Sequence, residues 1–120
     1  MIRVGTAGWS IPRSHAAAVP GEGTHLSRYA RVLPCVEINS SFQRPHRREV
    51  YRTWAAQTPR SFRFAVKLPR EITHDARLRD ARLHLGEFLD QAGGLGRRLG
   101  PLLVQLPPSL DYDPRVASRF

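Results

Sequence analysis

The sequence predicts an α/β fold built on a parallel sheet, because short apolar and β-branched runs alternate with stretches of helical periodicity along its 120 residues. Four strands are expected, at residues 2–6, 35–39, 62–68 and 102–106. Parallel neighbours in a sheet are joined by right-handed crossovers, so the pattern indicates about four βα units in one domain. A doubly wound sheet and half of a closed barrel both fit this pattern.

The helical segments are predicted from apolar residues at i, i+3, i+4 and i+7 and from residues that favour helix ends. The first covers 26–33 after Thr24 as N-cap, the second begins at Pro45, the third covers 81–92 before Gly93, and a fourth begins at Pro114. Each of the first three helices is followed by the next predicted strand.

The formal net charge of +9 suggests nucleic-acid binding, since clustered cations neutralise phosphates. However, the arginines are spread from Arg3 to Arg119, and the only dense group is Arg44, Arg47, Arg48 and Arg52. Eighteen of the nineteen cationic residues are arginine, so a compositional bias explains part of the excess. Nucleic-acid binding through an arginine-rich surface is therefore the second hypothesis.

The sequence predicts a cytoplasmic protein without a membrane partner. No uncharged stretch approaches the roughly 20 residues that span a bilayer, and the first residues lack the basic and apolar regions of a signal peptide. The single cysteine, Cys35, has no partner for an internal disulfide, which suits a reducing compartment.

Four segments together resemble the YecE-like family, also called domain of unknown function 72. They are GTAGW at 5–9, VEINSSF at 36–42, RFAVKLPREITHD at 63–75 and LGPLLVQLPPS at 99–109. The resemblance implies a TIM (β/α)8 barrel, which typically needs roughly 250 residues. We therefore expect residues 1–120 to be one domain, the N-terminal half of such a barrel, with the C-terminal half absent.

A half barrel leaves the first and fourth strands as open edges, so self-association through these edges is expected. The same incompleteness raises a third hypothesis, that the chain is a truncated product without activity of its own.

The functional groups of such barrels lie at the carboxyl ends of the strands and in the loops that follow. That rule selects three candidate catalytic residues, Glu37, Lys67 and His74. It also selects the candidate ligand-binding residues Thr6, Gly8, Trp9, Asn39, Ser40, Arg70, Thr73 and Gln105. No metal site is predicted, because the sequence has no His-x-x-x-His, cysteine pair or aspartate-rich loop.

Strand alternation predicts that Glu37 and Lys67 face the barrel axis from adjacent strands. They could form an acid–base or substrate-orienting pair, or a structural ion pair. Lys67 is the only lysine, which suggests a Schiff-base nucleophile, an electrophile or an anion clamp. His74 suits proton transfer, whereas the other histidines, His15, His25, His46 and His84, are interpreted as surface residues.

The leading hypothesis is binding of a small anionic or polar ligand at the carboxyl ends of the strands. The sequence identifies neither a reaction nor a cofactor.

Overall fold

Four parallel strands form one sheet, in the order β1-β2-β3-β4, in a computed structural model that describes residues 1–19 and 21–120. The strands are β1 (Thr6–Ala7), β2 (Cys35–Ile38), β3 (Arg63–Lys67) and β4 (Leu99–Leu103). The α-helices are α1 (His25–Tyr29), α2 (Arg48–Ala56), α3 (Arg82–Ala92) and α4 (Pro114–Arg119). Shorter helical segments are the 3-10 turns Arg13–Ala18, Ser40–Phe42 and Gly93–Arg98 and the π-helix Glu71–Asp75. The predicted parallel α/β fold is confirmed.

The two faces of the sheet differ in burial, as strand alternation predicts. Val36, Ile38, Phe64 and Val66 are each at most 2% exposed and pack in the core with residues of the helices. Glu37, Ala65 and Lys67 occupy the alternate positions and are only half-buried. We call this second side of the sheet the inner face, because it corresponds to the interior of a closed barrel.

The first strand is shorter than predicted and lies later in the sequence, at Thr6–Ala7 instead of 2–6. Thr6 pairs with Val36, so the register places Val4 opposite Pro34, before β2 begins. Proline has no N–H to donate to a neighbouring strand. The residues before Thr6 therefore run past the start of β2, the strand with which β1 pairs.

The fourth strand begins three residues earlier than predicted, at Leu99 instead of residue 102, and ends at Leu103. A bulge between Phe64 and Val66 shifts its register, with Leu99 opposite Phe64 and Leu102 opposite Val66. Both the bulge and the edge position of β4 tolerate Pro101, which has no N–H to donate. Pairing ends at Leu103 because β3 ends at Lys67, its partner.

The predicted helix ends are mostly confirmed. The Thr24 side chain accepts a hydrogen bond from Ser27 N at the start of α1, and the Asp113 side chain caps α4 in the same way. Two helix ends differ from the prediction. α1 ends at Tyr29 and not at residue 33, and α2 begins at Arg48 and not at Pro45. The backbone is still extended at Arg47, after a segment in which His46 is hydrogen-bonded back to Ser40.

Tyr29 of α1 connects the edge strand β1 to the rest of the fold. Its hydroxyl donates to the Cys35 carbonyl at 2.8 Å and accepts from the Thr6 backbone N–H at 2.9 Å. β1 pairs with β2 through only two residues, and the Tyr29 hydroxyl adds hydrogen bonds that hold β1 against β2. Within the described ranges, no helix has the length and apolar character needed to cross a membrane.

Candidate functional site

Four side chains meet where β2 and β3 end, and we call them the mouth cluster: Phe42, Lys67, Thr73 and His74. The Lys67 ammonium lies 4.2 Å from the centroid of the Phe42 ring. The His74 ring meets the same phenyl ring edge-on, with the centroids 4.9 Å apart. Phe42 therefore holds a cation and an imidazole, both half-buried, in one small region.

The π-helix after β3 positions Thr73 and His74. The hydrogen bond from Ala76 N–H to the Glu71 carbonyl, at 2.9 Å, spans five residues, as is typical of a π-helix. Such turns are frequent at functional sites. Thr73 is fully buried, and its Oγ1 lies 2.8 Å from His74 Nδ1. This contact fixes the imidazole and leaves Nε2 as the nitrogen that can exchange a hydrogen bond with a ligand.

Glu37 and Lys67 do not form an ion pair, which was one of the two interpretations offered for these residues. The register places Glu37 opposite Ala65, so Lys67 lies one inner-face position closer to the carboxyl end of the sheet. Among the described residues, the ion pairs include neither side chain. The two residues share the inner face, as predicted, but the ammonium interacts with an aromatic ring and not with the carboxylate.

A second group of side chains lies beside the mouth cluster and includes two of the predicted residues, Trp9 and Ser40. The Trp9 ring packs edge-on against Trp54 of α2 at 5.1 Å, so it contacts the helix layer. Ser40 Oγ lies 2.8 Å from His46 Nε2, and the His46 ring packs against Trp54, also at 5.1 Å. Both predicted residues are thus engaged within the protein.

His46 was wrongly interpreted as a surface residue. It is half-buried, and burial lowers the pKa of its imidazole from the usual value, with a further lowering from the nearby Arg44 charge. The neutral imidazole is therefore favoured beside Ser40. The sequence contained no signal for this role, since nothing in its spacing distinguishes His46 from the exposed histidines.

Tyr51 of α2 is completely buried next to this group, with its ring 5.8 Å from that of His46. No hydrogen-bond partner reaches its hydroxyl among the described residues. Burial raises the pKa of Tyr51 to about 12, and the neighbouring Ser41 hydroxyl opposes the rise. Ser41 itself donates to the Lys67 carbonyl at 2.6 Å, so its proton is already engaged.

The remaining predicted ligand-binding residues do not join the mouth cluster. The Thr6 hydroxyl contacts Tyr29 on the helix side and donates to the Gly8 carbonyl at 2.7 Å. Gly8 has a φ of 79° and ends β1 by donating its N–H to the Glu37 carbonyl. Asn39 is exposed at the end of β2, and Gln105 is exposed two residues beyond β4.

Two arginines near the carboxyl ends of the strands are paired with carboxylates. Arg48 lies 3.1 Å from Asp90, and Arg70, a predicted ligand-binding residue, lies 3.6 Å from Asp75. These exposed pairs offset part of the positive charge around the opening. Across the described ranges, no group of three or more His, Cys, Asp and Glu side chains is arranged to hold a metal ion.

The family model for DUF72, described as a protein of unknown function, matches residues 3–120. The chain belongs to this family. It is also 36% identical over 115 residues to the UPF0759 protein YecE of Escherichia coli strain K12, a match that covers 96% of this chain and 40% of that protein. The YecE protein of E. coli O157:H7 matches to the same extent.

Two crystal structures of DUF72 proteins show the same fold. The Enterococcus faecalis protein EF0366 superposes with a TM-score of 0.80 at 22% identity, covering 98% of this chain and 44% of that one. The Thermotoga maritima protein TM1631 superposes with a TM-score of 0.73 at 25% identity, covering 98% and 49%. The chain thus spans less than half the length of these DUF72 relatives, and its four βα units correspond to part of their TIM-type barrel.

Sequence reasoning brought Lys67, Thr73 and His74 together but did not select Phe42. The signal was present, because Phe42 ends the VEINSSF segment just after β2, in the loop region that the barrel rule designates. Aromatic residues more often fill a core, whereas the Phe42 ring is only half-buried at the end of the sheet.

Proposed function

We propose that the mouth cluster binds a small anionic or polar ligand at the carboxyl ends of the strands. The observation that supports this most is the position of Lys67 and His74 against one half-buried ring, Phe42, with no carboxylate paired to the lysine in the described part of the chain. A cation held in place in this way can attract an anion without first breaking an ion pair.

Each member of the cluster has a distinct part in this proposal. Lys67 supplies the positive charge, and His74 Nε2 supplies a hydrogen bond whose direction is set by the Thr73 contact. Phe42 supplies an apolar surface for the carbon skeleton of the ligand. Glu37, on the same face but farther from the opening, and the exposed Asn39 are proposed to contact polar groups of a larger ligand. No reaction is assigned.

A thermal-shift screen with small phosphates, carboxylates and uncharged polyols tests the proposal. A ligand present at about 100 times its Kd stabilises a protein by about 2.7 kcal/mol, which for a domain of this size corresponds to a rise in Tm of roughly 10 °C. At least one anion is expected to stabilise the wild type in this way, whereas the polyols give smaller shifts.

Two variants assign the effect to the cluster. Lys67→Met keeps the aliphatic stem over Phe42 and removes the charge, and His74→Gln provides a second variant in case the first does not fold. Both should lose most of the shift. The matched control is Arg31→Met, which removes an exposed cation between α1 and β2, on the segment that leads to the amino end of β2. If all four proteins respond equally to the anion, the mouth cluster is not its site.

We also propose a cytoplasmic location, which the single free cysteine, Cys35, supports.

A further inference from the structure

A cleft of about 680 Å³ lies at the opposite end of the sheet from the mouth cluster, between α2, the start of β3 and the turn 93–98. Five of the ten residues that line it are arginines, and none of the ten is acidic. We call it the arginine cleft, and its arginines are Arg52, Arg60, Arg63, Arg97 and Arg98.

The arginines of the cleft come from α2 and from the segments at the starts of β3 and β4. Arg52 is on α2. Arg60 precedes β3 and Arg63 is the first residue of that strand, while Arg97 and Arg98 precede β4. β3 and β4 are neighbouring strands of the sheet, so the segments that lead into them lie side by side at one end of it.

A close approach between α2 and the turn 93–98 shapes the cleft. At Gly94 any Cβ would lie 2.3 Å from the Arg48 carbonyl oxygen and 3.1 Å from Tyr51 Cβ. Gly96 has a φ of 56°, which turns the chain before the two arginines that follow. The small side chains of Ala55 and Ala56 leave the space between these walls open.

Two of the guanidinium groups are held in place by carbonyl oxygens. Arg98 donates to the carbonyls of Pro59 and Thr58 at 3.0 and 2.9 Å. Arg63 donates to the carbonyls of Arg60 and Phe62, both at 2.9 Å. These contacts orient the groups but leave their charge in place, and none of the five arginines joins an ion pair within residues 1–19 and 21–120.

We propose that the arginine cleft is a second binding site, for a small polyanion that carries two or more phosphate groups. Guanidinium groups bind phosphate through paired hydrogen bonds, and several in one concavity favour a ligand with several anionic groups. The volume lies within the roughly 300–1,000 Å³ of small-ligand sites. A nucleic acid would instead be contacted along an extended charged surface, so the concave shape favours the small ligand.

Calorimetric titration of the 120-residue chain with inorganic pyrophosphate tests this proposal. In the double variant Arg52→Gln/Arg97→Gln two exposed positive charges are removed, and neither side chain forms a hydrogen bond within the described residues. The variant should weaken pyrophosphate binding by about tenfold or more. The matched control Arg82→Gln/Arg115→Gln removes the same charge from α3 and α4 and should stay within about twofold of the wild type. If the double variant does not fold, Arg97→Gln alone serves the same purpose.

Four results would overturn the proposal. The first is no pyrophosphate binding by the wild type at low salt. The second is equal weakening in the cleft and control variants, which would indicate diffuse charge. The third is binding that is lost in Lys67→Met but kept in Arg52→Gln/Arg97→Gln, which would place the anion in the mouth cluster. The fourth is salt-sensitive binding of a single-stranded oligonucleotide without binding of pyrophosphate, which would favour a nucleic-acid surface.

Discussion

Replacement of Tyr51 by phenylalanine is expected to stabilise the protein. Tyr51 is 0% exposed, and its hydroxyl has no hydrogen-bond partner among the described residues. A buried hydroxyl without a partner costs about 1–3 kcal/mol of stability. Removing its oxygen leaves a void of roughly 15 Å³, which costs about 0.4 kcal/mol. The free energy of unfolding should therefore rise by about 1 kcal/mol or more in Tyr51→Phe.

Urea unfolding followed by circular dichroism measures this change, with Tyr112→Phe as the matched control. Tyr112 is 82% exposed, so its variant should unfold within about 0.5 kcal/mol of the wild type. The slope of the free energy against urea concentration should be the same in all three proteins. A loss of about 1 kcal/mol in Tyr51→Phe would refute the reasoning, because it would mean that the hydroxyl is hydrogen-bonded in the protein, for example to the Ser41 side chain.

A second prediction for Tyr51 concerns the stability of the protein at high pH. Because the pKa of Tyr51 is raised to about 12, the folded state holds its phenolic proton more tightly than the unfolded chain, whose pKa is 10.0. The stabilisation from this difference is complete below pH 10.0 and is lost as the pH rises toward 12. Above pH 10.0 the wild type should therefore lose stability faster than Tyr51→Phe.

Three further predictions concern other parts of the fold. Gly86→Ala should stabilise the protein by about 0.5–1 kcal/mol, since Gly86 lies inside α3 with open space around it. Gly94→Ala should destabilise it by about 2 kcal/mol or more, because the added methyl group would clash with the Arg48 carbonyl. Urea unfolding of both variants measures the two changes. Burial and Arg44 lower the pKa of His46, so its contribution to stability is present above about pH 6.5 and is lost as the pH falls. In His46→Gln the free energy of unfolding should therefore fall less steeply on acidification than in the wild type. An unchanged dependence on pH would contradict this. We expect the 120-residue chain to form a dimer or a larger species, because apolar residues are exposed at both sheet edges, among them Ile2, Val4 and Val104. A monomer by light scattering would contradict that expectation.

The sequence predicted the parallel α/β fold because its strands are defined by local apolar alternation, as in residues 35–38 and 63–67. It misplaced the outer strands because their ends depend on neighbours. β1 is limited by Pro34 across the sheet, and β4 is extended by a bulge opposite β3. Neither constraint can be read from the residues of the strand itself.

The candidate site was predicted in part for the same reason. Lys67 and His74 belong to one continuous segment, so the rule that function lies at the ends of strands brought both to the same place. The Phe42 contacts depend on how the turn after β2 packs against the next βα unit. The half-buried state of His46 likewise depends on α2, which contributes Tyr51 and Trp54 to its surroundings.

Nuclear magnetic resonance of the labelled protein tests the mouth cluster most directly, with inorganic phosphate as the probe. The ring signals of His74 and the side-chain signals of Lys67 should move together and give one dissociation constant, while the exposed His15 ring, used as an internal reference, stays in place. If phosphate moves the His15 and His74 signals equally, or moves neither Lys67 nor His74, then the carboxyl ends of these strands do not form an anion site.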